Sequence, residues 1–195
     1  MGSSRSKKAF RNTMCQLLLE AITAVCGLIL PRLVLSYFGS TYNGIVQSIS
    51  QFISCIALLK SGIGSVTRAA LYKPLAENDS FGISEIINAT EQFMRRIAAI
   101  FGIFVVAFAC IYPLIVSEDF SWFFAFTLVL VLSISTVAQY FFGMTYQMLI
   151  EADQNNYIIA ITQMISIVAN TAISALLIML GFSIHVVKLG SAVVF

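Results

Sequence analysis

Four ionisable side chains stand inside long apolar runs or near the ends of these runs, where charges are rare. They are the acid Glu20 and the bases Arg32, Lys60 and Lys188. On insertion scales each costs about 2.5–3.5 kcal/mol, so such a residue normally faces a water-filled cavity or a partner and not lipid. The alternative, extension of the side chain to water at a helix end, competes most strongly for Arg32 and Lys188.

Polar and glycine residues recur at helical spacing in four of the apolar runs. Positions three and four apart share one face of a 3.6-residue helix. Small and hydroxylated residues also line tight interfaces between helices, but amides in a dry interface need partners for every donor and acceptor. We therefore predict a shared hydrated cavity that includes Gln51, Gln163 and Asn170. Lys60 lies about 100° around its helix from the polar stripe, so the sequence does not decide whether its side chain points into this cavity. The stripes are Gln16, Glu20, Thr23 and Gly27; Gln47, Gln51, Ser54, Ser61 and Ser65; Thr136, Tyr140, Gly143 and Gln147; and Gln163, Ser166, Asn170 and Ser174.

Long apolar segments must position these stripes. Hydrophobic residues make up 59% of the chain and charged residues only 10%, against about a quarter charged in soluble proteins. The first five runs are each long enough to cross ~30 Å of hydrocarbon at ~1.5 Å per residue. The sequence thus predicts an all-α, polytopic transmembrane bundle of about six helices. The runs cover about residues 14–37, 45–67, 97–116, 122–146, 157–180 and 184–195, and the chain is expected to be cut within the last.

Basic residues set the expected orientation, because short loops rich in Lys and Arg stay on the cytoplasmic side. Residues 1–13 form a basic tail ahead of the transmembrane lobe at 14–195, and further arginines flank the segment 68–96. This pattern predicts a cytoplasmic N-terminus and cytoplasmic loops at 68–96 and 151–156. A short amphipathic helix is predicted around 83–91, and the uniformly apolar third run is predicted to face lipid.

Motifs for catalysis or metal binding are not found in this sequence. The one histidine, His185, has no ligand-type residue at metal-binding spacing, and the four cysteines lie singly in apolar runs. A net charge of +2 gives no indication of nucleic-acid binding. We therefore predict a protein that is not an enzyme and that uses no catalytic residue, no metal and no cofactor.

Four segments carry a family resemblance. They are YFGSTYNG at 37–44, LKSGIG at 59–64, LAEND at 75–79 and ADQNNYI at 152–158. In this order the chain resembles the polysaccharide flippases, the O-antigen and teichoic-acid exporters of the multidrug/oligosaccharidyl-lipid/polysaccharide superfamily. It departs from them at Asn155, where that family's loop often has a lysine.

The resemblance implies a multi-pass cell-membrane transporter with two similar lobes of six helices around a central cavity. This chain would be the first lobe, and a C-terminal lobe would be missing from it. The implied substrate is a polyprenyl-diphosphate-linked oligosaccharide for lipopolysaccharide or other cell-envelope polysaccharide biosynthesis, flipped by alternating access. Arg32 and Lys60 would attract the diphosphate or acidic sugars, and Glu20 would bind the coupling cation or proton.

Two other functions remain open at this point. A cation-coupled multidrug exporter of the same superfamily would need acidic residues in its cavity, whereas the apolar runs hold one acid and three bases, a balance that favours an anionic substrate. A membrane scaffold that transports nothing is the second, and a transport assay in reconstituted vesicles separates it from both exporters.

Overall fold

The computed structural model describes residues 2–54, 57–116, 120–138 and 143–193. Within these residues all regular secondary structure is helical, which confirms the predicted all-α bundle. The helices are α1 (Gly2–Phe38), α2 (Ser40–Ser54), α3 (Ala57–Glu77), α4 (Ser80–Ile115), α5 (Trp122–Ala138), α6 (Met144–Ala152), α7 (Asn156–Met179) and α8 (Ile184–Val193).

The helices differ from the predicted runs at several boundaries. The basic tail is already helical, because α1 begins at Gly2. The run 45–67 is covered by α2 and α3, with residues 55–56 outside the described part, and the run 122–146 by α5 and the start of α6, with 139–142 outside it. Apolar character alone does not fix where a helix begins or ends, which explains these differences.

Helix α4 replaces a predicted loop. The residues around 83–91 are helical as predicted, but they are not a short helix of their own, because α4 runs without interruption from Ser80 to Ile115. The helix begins at Ser80 because the Asp79 carboxylate accepts hydrogen bonds from the backbone N–H groups of Phe81 and Gly82, both at 3.1 Å. This N-cap satisfies two donors that have no partner within the helix.

Within the part of the chain that the structure describes, three helices are long and apolar enough to cross a membrane, judged by length and composition: α1 from Lys7, α4 and α7. Helix α5 is apolar but shorter. On α4 one face is buried, including Phe101 and Val105, while Ile103 on the opposite side is 72% exposed. Because large exposed apolar faces are costly in water, these helices indicate a membrane protein.

The bundle is held by contacts between helices that are distant in the chain. Helix α1 packs along α7, α4 packs along α5, and α8 lies against both α5 and α7. Helix α3 contacts α4 and α6. As a result the polar faces of α1 and α7 lie side by side, although more than a hundred residues separate them in the sequence.

Sharp turns occupy three of the four segments that carry the family resemblance. Gly39 between α1 and α2 has φ +88°, Asn78 between α3 and α4 has φ 53°, and Gln154 between α6 and α7 has φ 59°. Glycine adopts this left-handed conformation without strain, and asparagine tolerates it better than most residues. These segments therefore have a structural role in reversing the chain.

Candidate functional site

A polar cavity of about 810 Å³ lies among α1, α6 and α7 in the described part of the chain. We call it the acidic cavity, because Glu20 is the only charged side chain among the described residues that line it. Its polar lining consists of Gln16, Glu20, Thr23, Tyr146, Gln147, Thr162, Gln163 and Ser166. Three of the four predicted stripes contribute to it, those in the first, fourth and fifth runs.

The second cavity lies among α1, α2, α7 and α8 and has a volume of about 420 Å³. We call it the basic cavity, because Lys188 is the only charged group among its described lining residues. Its polar lining consists of Thr23, Asn43, Gln47, Asn170, Thr171, Lys188 and Ser191. An acid and a base thus lie in separate cavities.

The two cavities adjoin at Thr23 of α1 and Ile167 of α7, which line both. Along α1 the lined positions extend from Gln16 to Val34, about 27 Å at ~1.5 Å per residue. This length is close to the ~30 Å thickness of a hydrocarbon core. The polar faces of α1 and α7 therefore border two adjoining cavities that together extend over nearly the depth of a membrane.

Glu20 has a local polar neighbour and no base beside it. Its Oε1 accepts a hydrogen bond from Gln16 Nε2, one turn earlier, at 3.3 Å. No lysine or arginine is found among the described residues that line the acidic cavity. The alternative that Glu20 pairs with a neighbouring base receives no support from the described part of the chain. The arrangement suits a carboxylate that binds a proton or a cation.

Asn170 lines the basic cavity, but its amide is used to join two helices. Its Nδ2 donates to Ser191 Oγ at 2.7 Å and to Ser191 O at 3.1 Å, and its Oδ1 accepts from Ser174 Oγ at 3.4 Å. Asn170 is only 7% exposed. These contacts favour adhesion between α7 and α8, so the residue is a structural part of the cavity wall.

Two of the predicted substrate-binding residues line neither cavity, and a third cannot be placed. Arg32 is exposed and is not among the lining residues of either cavity, because it stands about 100° around α1 from the lining residue Pro31. Gln51 is likewise exposed and lines neither cavity, being one turn beyond Gln47 on α2. The side chain of Lys60 lies outside the described part.

The sequence placed Lys188 among the charges that face a cavity or extend to water but did not assign it to the binding site; it lines the basic cavity. A signal was present, since Lys188 and Ser191 stand three residues apart and thus share one face of α8. Gln47, already part of a predicted stripe, lines the same cavity from α2. The final apolar run is too short to show a polar stripe over several helical turns, so this pair did not stand out.

One end of the bundle is fastened by the start of α1. Asn12 Oδ1 accepts a hydrogen bond from the Tyr157 backbone N–H at 3.0 Å, and Asn12 Nδ2 donates to Gln154 O at 2.8 Å. The Arg11 guanidinium lies 3.5 Å from the centre of the Tyr157 ring, a cation–π contact. Asn12 thus caps α7 from another helix, a role that the N-cap residue Asn155 does not fill with its own side chain.

Replacing Asn12 with alanine is expected to lower the free energy of unfolding by about 1 kcal/mol, the usual effect of losing a helix cap. Asn12→Asp should keep part of this, because a carboxylate still accepts from the Tyr157 N–H. Thermal unfolding of the full chain in detergent measures the change. Asn156→Ala, at an exposed neighbouring asparagine, is the control; equal destabilisation by both alanine variants would contradict the capping role.

Aromatic side chains gather at the opposite end. The Tyr42 ring meets Phe120 edge-on at 5.0 Å and Phe124 at 5.6 Å, and His185 stands edge-on to Phe124 at 4.6 Å. His185 Nε2 also lies 2.9 Å from Thr127 Oγ1. These contacts give the histidine a packing role between α5 and α8, and aromatic clusters of this kind are typical of a membrane–water interface.

Comparisons of the chain with family models, with curated proteins and with solved structures find no match.

Proposed function

We propose that this chain is the first lobe of a cell-membrane transporter that flips a lipid-linked oligosaccharide by alternating access. The observation that carries the proposal is the pair of adjoining polar cavities along α1 and α7, the acidic and the basic cavity. Sugar hydroxyls and a diphosphate cannot cross hydrocarbon unaided, because each unpaired polar group costs several kcal/mol there. A hydrated path between helices lowers that barrier.

A second lobe is part of the proposal because polar residues of the acidic cavity are exposed on this chain. Gln16 and Glu20 line the acidic cavity, yet both are exposed in this chain. Polar groups open to lipid are unfavourable, so a facing lobe is needed to shield them. Two lobes rocking about a site near the midplane would supply alternating access.

The proposed orientation places the N-terminus in the cytoplasm. Arg11, Asn12 and the 153–155 turn meet at one end, where Arg68 also pairs with Glu151. The aromatic cluster around Tyr42 and His185 lies at the other ends of α1 and α7. Concentration of basic residues at one end supports a cytoplasmic location for that end.

Cysteine labelling should test this orientation. In a background without native cysteines, cysteines at the exposed positions Ser40 and Ser183 are expected to react with an impermeant reagent added outside intact cells. A cysteine at exposed Asp153 should react only after the membrane is opened. The reverse pattern would overturn the orientation.

The transport proposal is tested with the full-length protein in vesicles. A polyprenyl-diphosphate-linked oligosaccharide is placed in one leaflet, and the glycan that appears in the other is cut by an impermeant glycosidase. Flipping that exceeds that of protein-free vesicles is the expected result. No flipping would contradict the proposal and favour the scaffold function.

A cation-coupled multidrug exporter is the second candidate, and the isolated acid of the acidic cavity is the observation that favours it. A carboxylate without a neighbouring base can bind a cation or a proton that drives export of a cationic drug. The Lys188 side chain in the adjoining cavity opposes a cationic substrate. Drug efflux without glycan flipping in the same vesicles would select this candidate.

A further inference from the structure

We propose that the basic cavity binds an anionic oxygen group, a phosphate or a carboxylate, through Lys188. The occupant would be the anionic part of the transported molecule, so its identity as cargo rests on the proposed function, whereas the charge of the site does not. Lys188 was expected either to face a cavity or to extend to water, and it lines the basic cavity.

Lys188 has no counter-charge in the described part of the chain. The ion pairs found there join Arg68 to Glu151 and Arg95 to Glu91, both away from α8. Glu20 lies in the acidic cavity, and no carboxylate is among the described residues that line the basic one. An ammonium group inside a transmembrane bundle is stabilised by water or by an anion, since lipid offers neither.

The neighbouring donors suit an oxygen anion. Asn43 and Gln47 line the same cavity from α2, and neither side-chain amide donates a hydrogen bond to a described residue. The hydroxyl of Thr171 already donates to Ile167 O at 2.8 Å, and the Asn170 amide is held by Ser191. Thr23 likewise donates to Leu19 O at 2.7 Å. The donors on this cavity that remain for an anion are therefore the Lys188 ammonium, the Asn43 and Gln47 amides and the Ser191 hydroxyl.

The cavity has room for such a group with part of its carrier. At about 420 Å³ it lies within the range of small-ligand sites, which is ~300–1,000 Å³. The Asn170 amide joins α7 to α8 through Ser191, which stands three residues after Lys188 on α8. Lys188 thus lies on a helix that is hydrogen-bonded to its neighbour and not on a loop.

Cys26 provides a built-in reporter, because it lines the basic cavity and is partly exposed. The full-length protein is prepared with every other cysteine replaced, and the rates of modification by an anionic and a cationic methanethiosulfonate reagent are compared. A nearby positive charge should raise the anionic-to-cationic rate ratio by about fivefold relative to Lys188→Met. Lys188→Arg should keep the ratio, and Lys73→Met, at an exposed lysine of α3, should leave it unchanged.

Occupancy is measured as protection of Cys26 by inorganic pyrophosphate and, separately, by glucuronate. Protection by pyrophosphate indicates a phosphate site and protection by glucuronate an acidic-sugar site; either supports the proposal if Lys188→Met abolishes it. If Cys26 does not react, a cysteine at Gly27 takes its place as the reporter, because Gly27 lines the same cavity and a side chain added there meets no atom within 4 Å. No charge preference, or protection that is equal in Lys188→Met, overturns the proposal.

The anion site and the flippase function can fail independently of each other in these experiments. The modification assay requires no transport, so charge preference with protection but without glycan flipping would leave the anion site and remove the flippase. Flipping without charge preference would support the flippase and remove the anion site. Flipping that is lost in Lys188→Met and kept in Lys188→Arg would show that transport uses the anion site.

Discussion

Reversing the charge of Arg68 (Arg68→Glu) is expected to destabilise the bundle by about 2 kcal/mol, between the values for exposed and buried ion pairs. Arg68 on α3 pairs with Glu151 on α6, and the two side chains are 37% and 20% exposed. Glu151 Oε1 also accepts from Gln147 Nε2 at 3.3 Å, and Gln147 lines the acidic cavity. The pair therefore anchors one wall of that cavity to α3.

A double exchange separates the ion pair from other effects of the substitution. Arg68→Glu with Glu151→Arg should recover at least half of the lost stability, because opposite charges again face each other. The matched control is Arg95→Glu, which breaks a pair between residues four apart on α4 with 59% of Arg95 exposed and should change stability by less than about 0.5 kcal/mol. Denaturation of the full chain in detergent measures all three. Equal losses from Arg68→Glu and Arg95→Glu would contradict the anchoring role.

On the proposed transport function, with Glu20 as the coupling residue, replacing Glu20 with glutamine is expected to abolish dependence of transport on the ion gradient. Glutamine keeps the shape and the contact with Gln16 but cannot carry the charge that binds a proton or cation. For one coupled proton, a gradient of one pH unit shifts the transport equilibrium about tenfold, which corresponds to ~1.4 kcal/mol. Wild-type vesicles should therefore show about a tenfold bias between the two directions of the gradient, and Glu20→Gln vesicles none.

Glu85→Gln is the control for this experiment, because it removes an exposed carboxylate of α4 that lines neither cavity. It should keep the full bias. The same comparison with a sodium gradient distinguishes a proton from another cation. A gradient bias that survives in Glu20→Gln would remove the residue from coupling and leave it as a polar group of the cavity wall.

Helical periodicity allowed several cavity residues to be predicted from the sequence. Gln16, Glu20 and Thr23 recur at spacings of three and four, and they line one cavity. The same spacing placed Gln163 there from α7. Such predictions succeed because the geometry of a helix fixes which positions share a face, whatever the helix packs against.

Spacing could not predict what occupies the space beside each polar side chain. Asn170 lies on the predicted face, yet Ser191 and Ser174 use its amide, and this depends on how closely α8 approaches α7. Arg32 was included for its charge, although its angle around α1 takes it off the lined face. Charge shows that a residue needs a polar environment, but only packing shows which environment it has.

The sequence by itself determined the helical class, the apolar lengths that can cross a membrane and the polar face of each helix. These are local properties, set by residue type and by a repeat of 3.6 residues. Only the tertiary structure decided that α1 and α7 lie together, that Glu20 and Lys188 occupy separate cavities, and that Asn12 caps α7. Those features join residues distant in the chain, and contacts of that kind follow from how whole helix surfaces fit together.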